Sequence, residues 1–411
     1  MEKLLSKDHF EITNGENILY LNQKANEAKA KGAKVINGTV GMLYSEEGHI
    51  VDFPIVDEVI ANSYDEATLK YGSVVGGTGF AQSVMDWIFG GVDYSSVKHS
   101  VIGTLGATGA LSLTIRNYTS RGQAVLMPSI RWSNYDSIAQ QAGATVSAYN
   151  LFNEENNFDV KSLEEKVNES IEKYGRVFLI INDPCQNPTG YSIKEGEWDD
   201  ILTVLKNASK KTPVVLLDDI AYLNYSRTSY DPIIQKILDS LNDNFMAVFA
   251  FSASKTLSIY GLRGGAAIGF TSSQEGIDDF KKAMEGTARS IWSSPNSIAC
   301  RVIEENFNSL EKREILRKKL NDYLSILEER ANIFINEAKK VNLVCYPYVS
   351  GFFVLIPCPN NQKVVDQLIE DENLYVVPLS GGIRVALSCL TKEEIVGMAA
   401  KIKKAYDKIN G

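Results

Sequence analysis

Between residues 124 and 270 lie six short, β-rich apolar runs, mostly bounded by Gly, Pro, Asn or Asp: 124–127, 146–149, 177–181, 214–217, 247–251 and 266–270. Near-continuous apolar runs of this length suit strands whose sheet is covered on both faces. Between two of them, the stretch 198–210 sets Ile201, Val204 and Leu205 on one helical face. This strand–helix–strand rhythm predicts an α/β fold, a mainly parallel sheet flanked by helices.

Past about residue 308 the pattern changes. Leu316, Leu320, Tyr323, Leu327, Ala331 and Phe334 step by three or four among many charged residues, which predicts a long amphipathic helix. Strand-like segments follow at 342–346, 351–356 and 382–387, then a terminal helix opened by the capping-box pattern Thr391-x-x-Glu394. A chain of 411 residues is long for one core. The expected layout is a large domain over 50–308 and a small α/β domain made of 1–49 and 309–411.

Several function classes lose their footing on composition. A net charge of −9 argues against nucleic acid as partner. The five cysteines (Cys185, Cys300, Cys345, Cys358, Cys389) form no Cys-x-x-Cys pair, so a zinc site or disulfide framework is not expected. His9, His49 and His99 are scattered, which disfavours histidine metal sites and Ser-His-Asp catalysis. The amino terminus has no signal-like apolar core and no run is long enough for a membrane span, so a cytoplasmic protein without a membrane partner is expected.

Three segments carry chemistry. In Phe251-Ser-Ala-Ser-Lys-Thr-Leu-Ser-Ile-Tyr-Gly-Leu-Arg-Gly-Gly265, Lys255 follows an apolar strand, where poor solvation lowers an amine's pKa and frees a nucleophile. Ser252 and Arg263 flank it as anion ligands, and Gly261, Gly264 and Gly265 permit close backbone approach. Together these suggest an aldehyde cofactor bearing a phosphate. In Asn182-Asp-Pro-Cys-Gln-Asn-Pro-Thr-Gly190, Asn187 follows a strand's carboxyl end, where open α/β sheets bind ligands, though a plain Asn-Pro turn reads the same way. In Val214-Val-Leu-Leu-Asp-Asp-Ile-Ala-Tyr222, a carboxylate at the strand end suits pairing with a protonated ring nitrogen. Asp219 and Asp218 compete for that role, and a helix-capping aspartate is the plainer alternative.

Ser252-x-x-Lys255 with Arg263, Asn187-Pro-Thr-Gly190 and Asp219-x-x-Tyr222 occur in the order and spacing of the class I/II aminotransferases, pyridoxal-phosphate enzymes of fold type I, and the chain resembles that family. The resemblance implies pyridoxal 5'-phosphate held on Lys255 as a Schiff base. It implies Asp219 at the ring nitrogen, Asn187 and Tyr222 at the phenolic oxygen, and Ser252 and Arg263 at the phosphate. Gly103-Thr-Leu-Gly-Ala-Thr-Gly-Ala-Leu111 is similar to the family's phosphate loop, with Gly106, Ala107 and Thr108 as contacts. Trp132 resembles the residue that stacks on the ring, its alternative being a core tryptophan. Tyr71 resembles a tyrosine that reaches the phosphate across a homodimer interface, although Ser73 stands where proline is usual.

The same resemblance bears on substrate. Arg384 resembles the arginine that binds the α-carboxylate, its alternative being an edge-strand arginine, and Gly41 a residue closing over substrate, its alternative being a turn glycine. Arg289 in Arg289-Ser-Ile-Trp-Ser-Ser-Pro295 is similar to the arginine that aspartate and aromatic aminotransferases donate from a neighbouring subunit to a distal carboxylate, with Trp292 and Ser294 replacing the usual Tyr and Asn. An exposed loop arginine is the alternative. The implied activity is ping-pong transamination between an amino acid and a 2-oxo acid, with a dicarboxylate as one partner. Its rivals are carbon–sulfur lysis on the same fold and a cofactor-sensing regulator.

Overall fold

The computed structural model describes residue 4 and residues 18–411. All six apolar runs form strands, and a seventh precedes them: β1 (Lys98–Leu105), β2 (Ala124–Pro128), β3 (Thr145–Tyr149), β4 (Val177–Ile181), β5 (Val214–Asp219), β6 (Phe245–Ser252) and β7 (Gly264–Thr271). They make one sheet in the order β1-β7-β6-β5-β4-β2-β3. Only β7 runs antiparallel to its neighbours. Every residue of β4 to β7 is buried, as the unbroken apolar runs require. Alternation then sorts side chains between two cores: along β5, Leu216 packs on one face, Val215 and Leu217 on the other.

Strand β1 departs from expectation. Its first two residues, Lys98 and His99, are exposed, which leaves too short an apolar run to read as a strand. Gly103, Thr104 and Leu105, assigned to a glycine-rich loop, complete β1, and the helix Gly106–Tyr118 begins at the next residue.

A second sheet is made of β8 (Phe353–Pro357), β9 (Val377–Leu379) and β10 (Gly382–Ala386), antiparallel in the order β9-β10-β8. The helix Leu310–Lys340 packs with all six of the predicted apolar positions buried. Residues 342–346 are not a strand. Asn342 takes a left-handed turn at φ 54, and one backbone bond, Tyr346 N–H to Leu355 O at 2.9 Å, is their link to β8. The Thr391–Glu394 capping box forms, but its helix stops at Ile395. Gly397, at φ 80, breaks the chain direction before the last helix, Met398–Asn410. Among the described residues, no helix is long and apolar enough to cross a membrane, and no cluster of three or more His, Cys, Asp or Glu stands ready for a metal.

Candidate active site

Parallel strands bring their carboxyl ends to one edge of a sheet, and ligands bind there. Asp219 ends β5, Ser252 ends β6 and Asn182 follows β4. From the antiparallel side, Arg263 immediately precedes β7 and Gly106 follows β1. These ends surround a cavity of about 230 Å³. Gly41, Ala107, Thr108, Trp132, Asn187, Asp219, Tyr222, Ser252, Lys255, Arg263 and Arg384 all line it.

Lys255 sits on the single helical turn Ala253–Thr256 after β6. Its Nζ donates to the carbonyl of Gly41 at 2.5 Å and lies 5.0 Å from the Tyr260 ring and 5.6 Å from the Tyr222 ring. Burial, then the charges of Arg384 and Arg263, push the amine down to about 7, against a smaller opposing pull from Asp219. Such an amine is substantially neutral, and so nucleophilic, near neutral pH.

Asp219 and Asp218 point to opposite sides of β5, and only Asp219 lines the cavity. Burial lifts Asp219 to about 6, offset by the Tyr135 hydroxyl and the backbone N–H of Ala221. Tyr135 donates to Oδ2 at 2.7 Å, and Ala221 N–H to Oδ1 at 3.2 Å. Asn182 secures the turn, its amide donating to Asp219 O at 2.7 Å while its side-chain oxygen accepts from Asn187 N–H at 2.8 Å. Asp218 instead accepts from Tyr230 at 2.9 Å behind the sheet.

The opposite end of the cavity is built for an anion. The helix Gly106–Tyr118 has no side-chain cap, so Ala107 and Thr108 present uncapped backbone N–H groups of its first turn. Arg263 stands beside them, donating to Tyr260 O at 3.0 Å and to Ser254 Oγ at 3.4 Å. Glycine is favoured at 106: its φ is 68, and a Cβ there would stand 2.9 Å from the Arg263 Nη2 and push that side chain aside. Gly265 is as constrained, because a Cβ would come within 2.5 Å of the Gly106 carbonyl carbon.

Arg384, on β10, is 2% exposed. It donates to Thr39 O at 2.7 Å and Asn187 Oδ1 at 3.2 Å, and lies 4.4 Å over the Phe353 ring. Gly41 faces that same ring, where a Cβ would meet Phe353 Cζ at 2.5 Å. Tyr222 packs edge-on against Phe352 and Phe353, and burial pushes its phenol well above the ordinary range, with Arg384 and the Asn187 side chain pulling the other way. Half-buried Trp132 meets Tyr135 edge-to-face at 5.4 Å.

Two expected residues lie apart from this cavity. Tyr71 is 97% exposed, and Arg289 is exposed in the last turn of the helix Gln274–Ile291. The resemblance assigned both to a partner subunit's site, so their surface position accords with that assignment without testing it. Conversely, Tyr135, Ser254, Tyr260 and Phe353 line the cavity without having been singled out from sequence. Ser254, Tyr260 and Tyr135 sit within five residues of Lys255 or Trp132, a local signal; Phe353 is brought in by tertiary packing.

The cavity suits pyridoxal phosphate on its own chemistry: a neutral amine, a buried carboxyl for a ring nitrogen, and a glycine-lined anion cradle with an arginine.

The model of the family "Aminotransferase class I and II" matches residues 34–402. The aromatic-amino-acid aminotransferase of Escherichia coli K12 is 24% identical over 85% of this chain and 88% of its own length. An aspartate aminotransferase of Pseudomonas aeruginosa is 27% identical over 74% of this chain and 76% of its own. The crystal structure of an aminotransferase from Anaerococcus prevotii superposes with a TM-score of 0.92 at 30% identity, covering 99% of this chain and 100% of that one. A family match across most of the chain and a cavity fitted to pyridoxal phosphate lead to one conclusion: the chain belongs to the class I and II aminotransferases and is a pyridoxal-phosphate-dependent transaminase.

Proposed function

We propose that the chain moves an amino group by a ping-pong mechanism in which one partner is a dicarboxylate, glutamate with 2-oxoglutarate or aspartate. The observation that carries amino-acid transfer is Arg384: a buried guanidinium facing the same cavity as the Lys255 amine, braced by Thr39 O and Asn187. A planar fork so held suits an α-carboxylate and sets the amino acid's Cα near Nζ. Exposed Arg289 supplies a second cation, for a distal carboxylate in a partner subunit's cavity. Aspartate and aromatic aminotransferases are comparably similar to this chain, so Arg289 is what tips the proposal toward dicarboxylates.

Ser252, Ser254, Arg263 and the helix turn at Ala107 and Thr108 would hold the cofactor's phosphate, Asp219 its ring nitrogen, and Asn187 and Tyr222 its phenolic oxygen. The cofactor, when bound, supplies the aldehyde that takes up the amino group and a ring that draws electron density from Cα. Lys255 Nζ, its pKa about 7, would take the proton from Cα as general base and deliver it, as general acid, to the carbon that carried the cofactor's aldehyde. Asp219, kept ionisable by Tyr135, stabilises positive charge on the ring nitrogen. Tyr71 acts from the partner subunit of a homodimer.

Steady-state assays of a panel of amino acids against several 2-oxo acid acceptors test this. A dicarboxylic acceptor, 2-oxoglutarate or oxaloacetate, should give a higher kcat/KM than pyruvate; preference for monocarboxylic oxo acids, with both dicarboxylic acceptors rejected, refutes the substrate assignment.

A further inference from the structure

The segment 38–46 carries Gly41 past the cavity and is bonded along its length to the end of β10. Ala386 N–H donates to Gly38 O at 3.0 Å, Arg384 to Thr39 O at 2.7 Å, and Tyr44 N–H to Ser388 O at 2.9 Å. On its other side Leu43 N–H donates to the Tyr260 hydroxyl at 2.8 Å. At the far end of the segment stands Arg330, in the helix Leu310–Lys340 and 0% exposed. Its Nε and Nη2 donate to Glu46 Oε1 at 3.0 and 2.8 Å, Nη2 also to Tyr44 O at 2.9 Å, and Nη1 to Ser388 O at 3.0 Å. The other Glu46 oxygen accepts from Lys392 N–H at 2.9 Å. One guanidinium outside the cavity thus joins the segment bearing Gly41 to the turn that follows the strand bearing Arg384.

We propose that Arg330, paired with Glu46, is a positioning residue for amino transfer. It fixes the Gly41 segment against β10, so that the Gly41 carbonyl stays at Lys255 Nζ and Arg384 keeps its Thr39 anchor. An ion pair with one partner fully buried adds little net stability over an apolar replacement, because desolvating the Arg330 charge is costly and Glu46 is partly open to solvent. Its directional N–H groups, however, hold two backbone carbonyls from distant parts of the chain at a set separation. Both carbonyls lie within five residues of a group assigned to substrate.

Holoenzymes carrying Arg330→Met, Arg330→Lys and Glu46→Gln test the proposal through single-turnover kinetics with an amino acid, cofactor dissociation constants and Tm. Arg330→Met should lower the limiting rate, raise the half-saturating concentration, and reduce their ratio roughly 10- to 100-fold. The cofactor dissociation constant should stay within about twofold, since the residues assigned to its phosphate, Ala107, Thr108, Ser252 and Arg263, lie outside the network. Arg330→Lys should restore part of the loss. If Arg330→Met does not fold, Glu46→Gln decides: it keeps the size and one acceptor oxygen, and should move both kinetic constants in the same direction. A folded Glu46→Gln or Arg330→Met enzyme with a lowered Tm but wild-type kinetic constants would show a purely structural pair and overturn the proposal.

Discussion

The Tyr135 hydroxyl donates a 2.7 Å hydrogen bond to Asp219 Oδ2 across 84 residues of sequence. It is the largest influence opposing the burial that lifts Asp219 to about 6. Tyr135→Phe should raise that pKa further, so that Asp219 is protonated at a pH where it must pair with a ring nitrogen. A hydrogen bond to a charged group contributes roughly 1.5–3 kcal/mol, so cofactor affinity at pH 7 should fall about tenfold or more. Cofactor dissociation constants measured from pH 6 to 9 check this: the loss should shrink as pH rises.

Lys255 gives a second pH signature. Covalent capture of the cofactor needs the neutral amine, and burial with two neighbouring arginines brings its pKa to about 7. Reconstitution of the apoenzyme, followed by absorbance, should therefore rise with pH and level off above that value rather than near the ordinary lysine range. Arg263→Gln removes one of those charges and should move the midpoint upward.

A buried acid pair lies behind the sheet. Asp183, accepting from Trp198 Nε1 at 2.9 Å and Ile193 N–H at 2.9 Å, is raised by burial to about 7, and Asp218 is raised well above the ordinary carboxylate range by burial and by Asp183. Acids with raised pKa bind more protons folded than unfolded, so their stabilisation is complete below the ordinary carboxylate range and is lost as pH rises. The Tm of wild-type protein should accordingly carry a downward component between about pH 5 and 7. Asp218→Asn should remove up to about 1.4 kcal/mol per pH unit of that slope, measurable by denaturant unfolding across the window.

How far sequence alone reached can be judged from these residues. The strands were legible because buried parallel strands are unbroken apolar runs, and Lys255, Asp219 and Asn187 were legible because each follows one. Strand β1 was not, since its polar start and Gly103 mimic a loop. Asp219 and Asp218 were indistinguishable on the residues alone; the resemblance pointed to Asp219, and the observed face of β5 sets that residue at the cavity. Phe353 was invisible because long-range packing brings it to the cavity, whereas Tyr260, five residues past Lys255, and Tyr135, three past Trp132, lay beside residues already singled out but carried no signal that separated them from core tyrosines. The same is true of Arg330, which reads as one more cation on an amphipathic helix until its burial is seen.

Substrate recognition separates two arginines. Arg384→Lys replaces a braced planar fork with a point charge and should lower kcat/KM for every amino acid, by about 100-fold or more for a buried charged partner. Arg289→Leu should weaken dicarboxylates selectively and leave monocarboxylic donors near wild type. Equal loss for both classes would reject its proposed role.

The central claim, amino transfer at the Lys255 cavity, is tested most directly by mixing holoenzyme with one amino acid and no acceptor. The account predicts about one equivalent of oxo acid per site, no free ammonia, loss of the lysine-linked cofactor absorbance, and none of this with Lys255→Ala. Continuous release of ammonia, or undiminished reaction by Lys255→Ala, would contradict it.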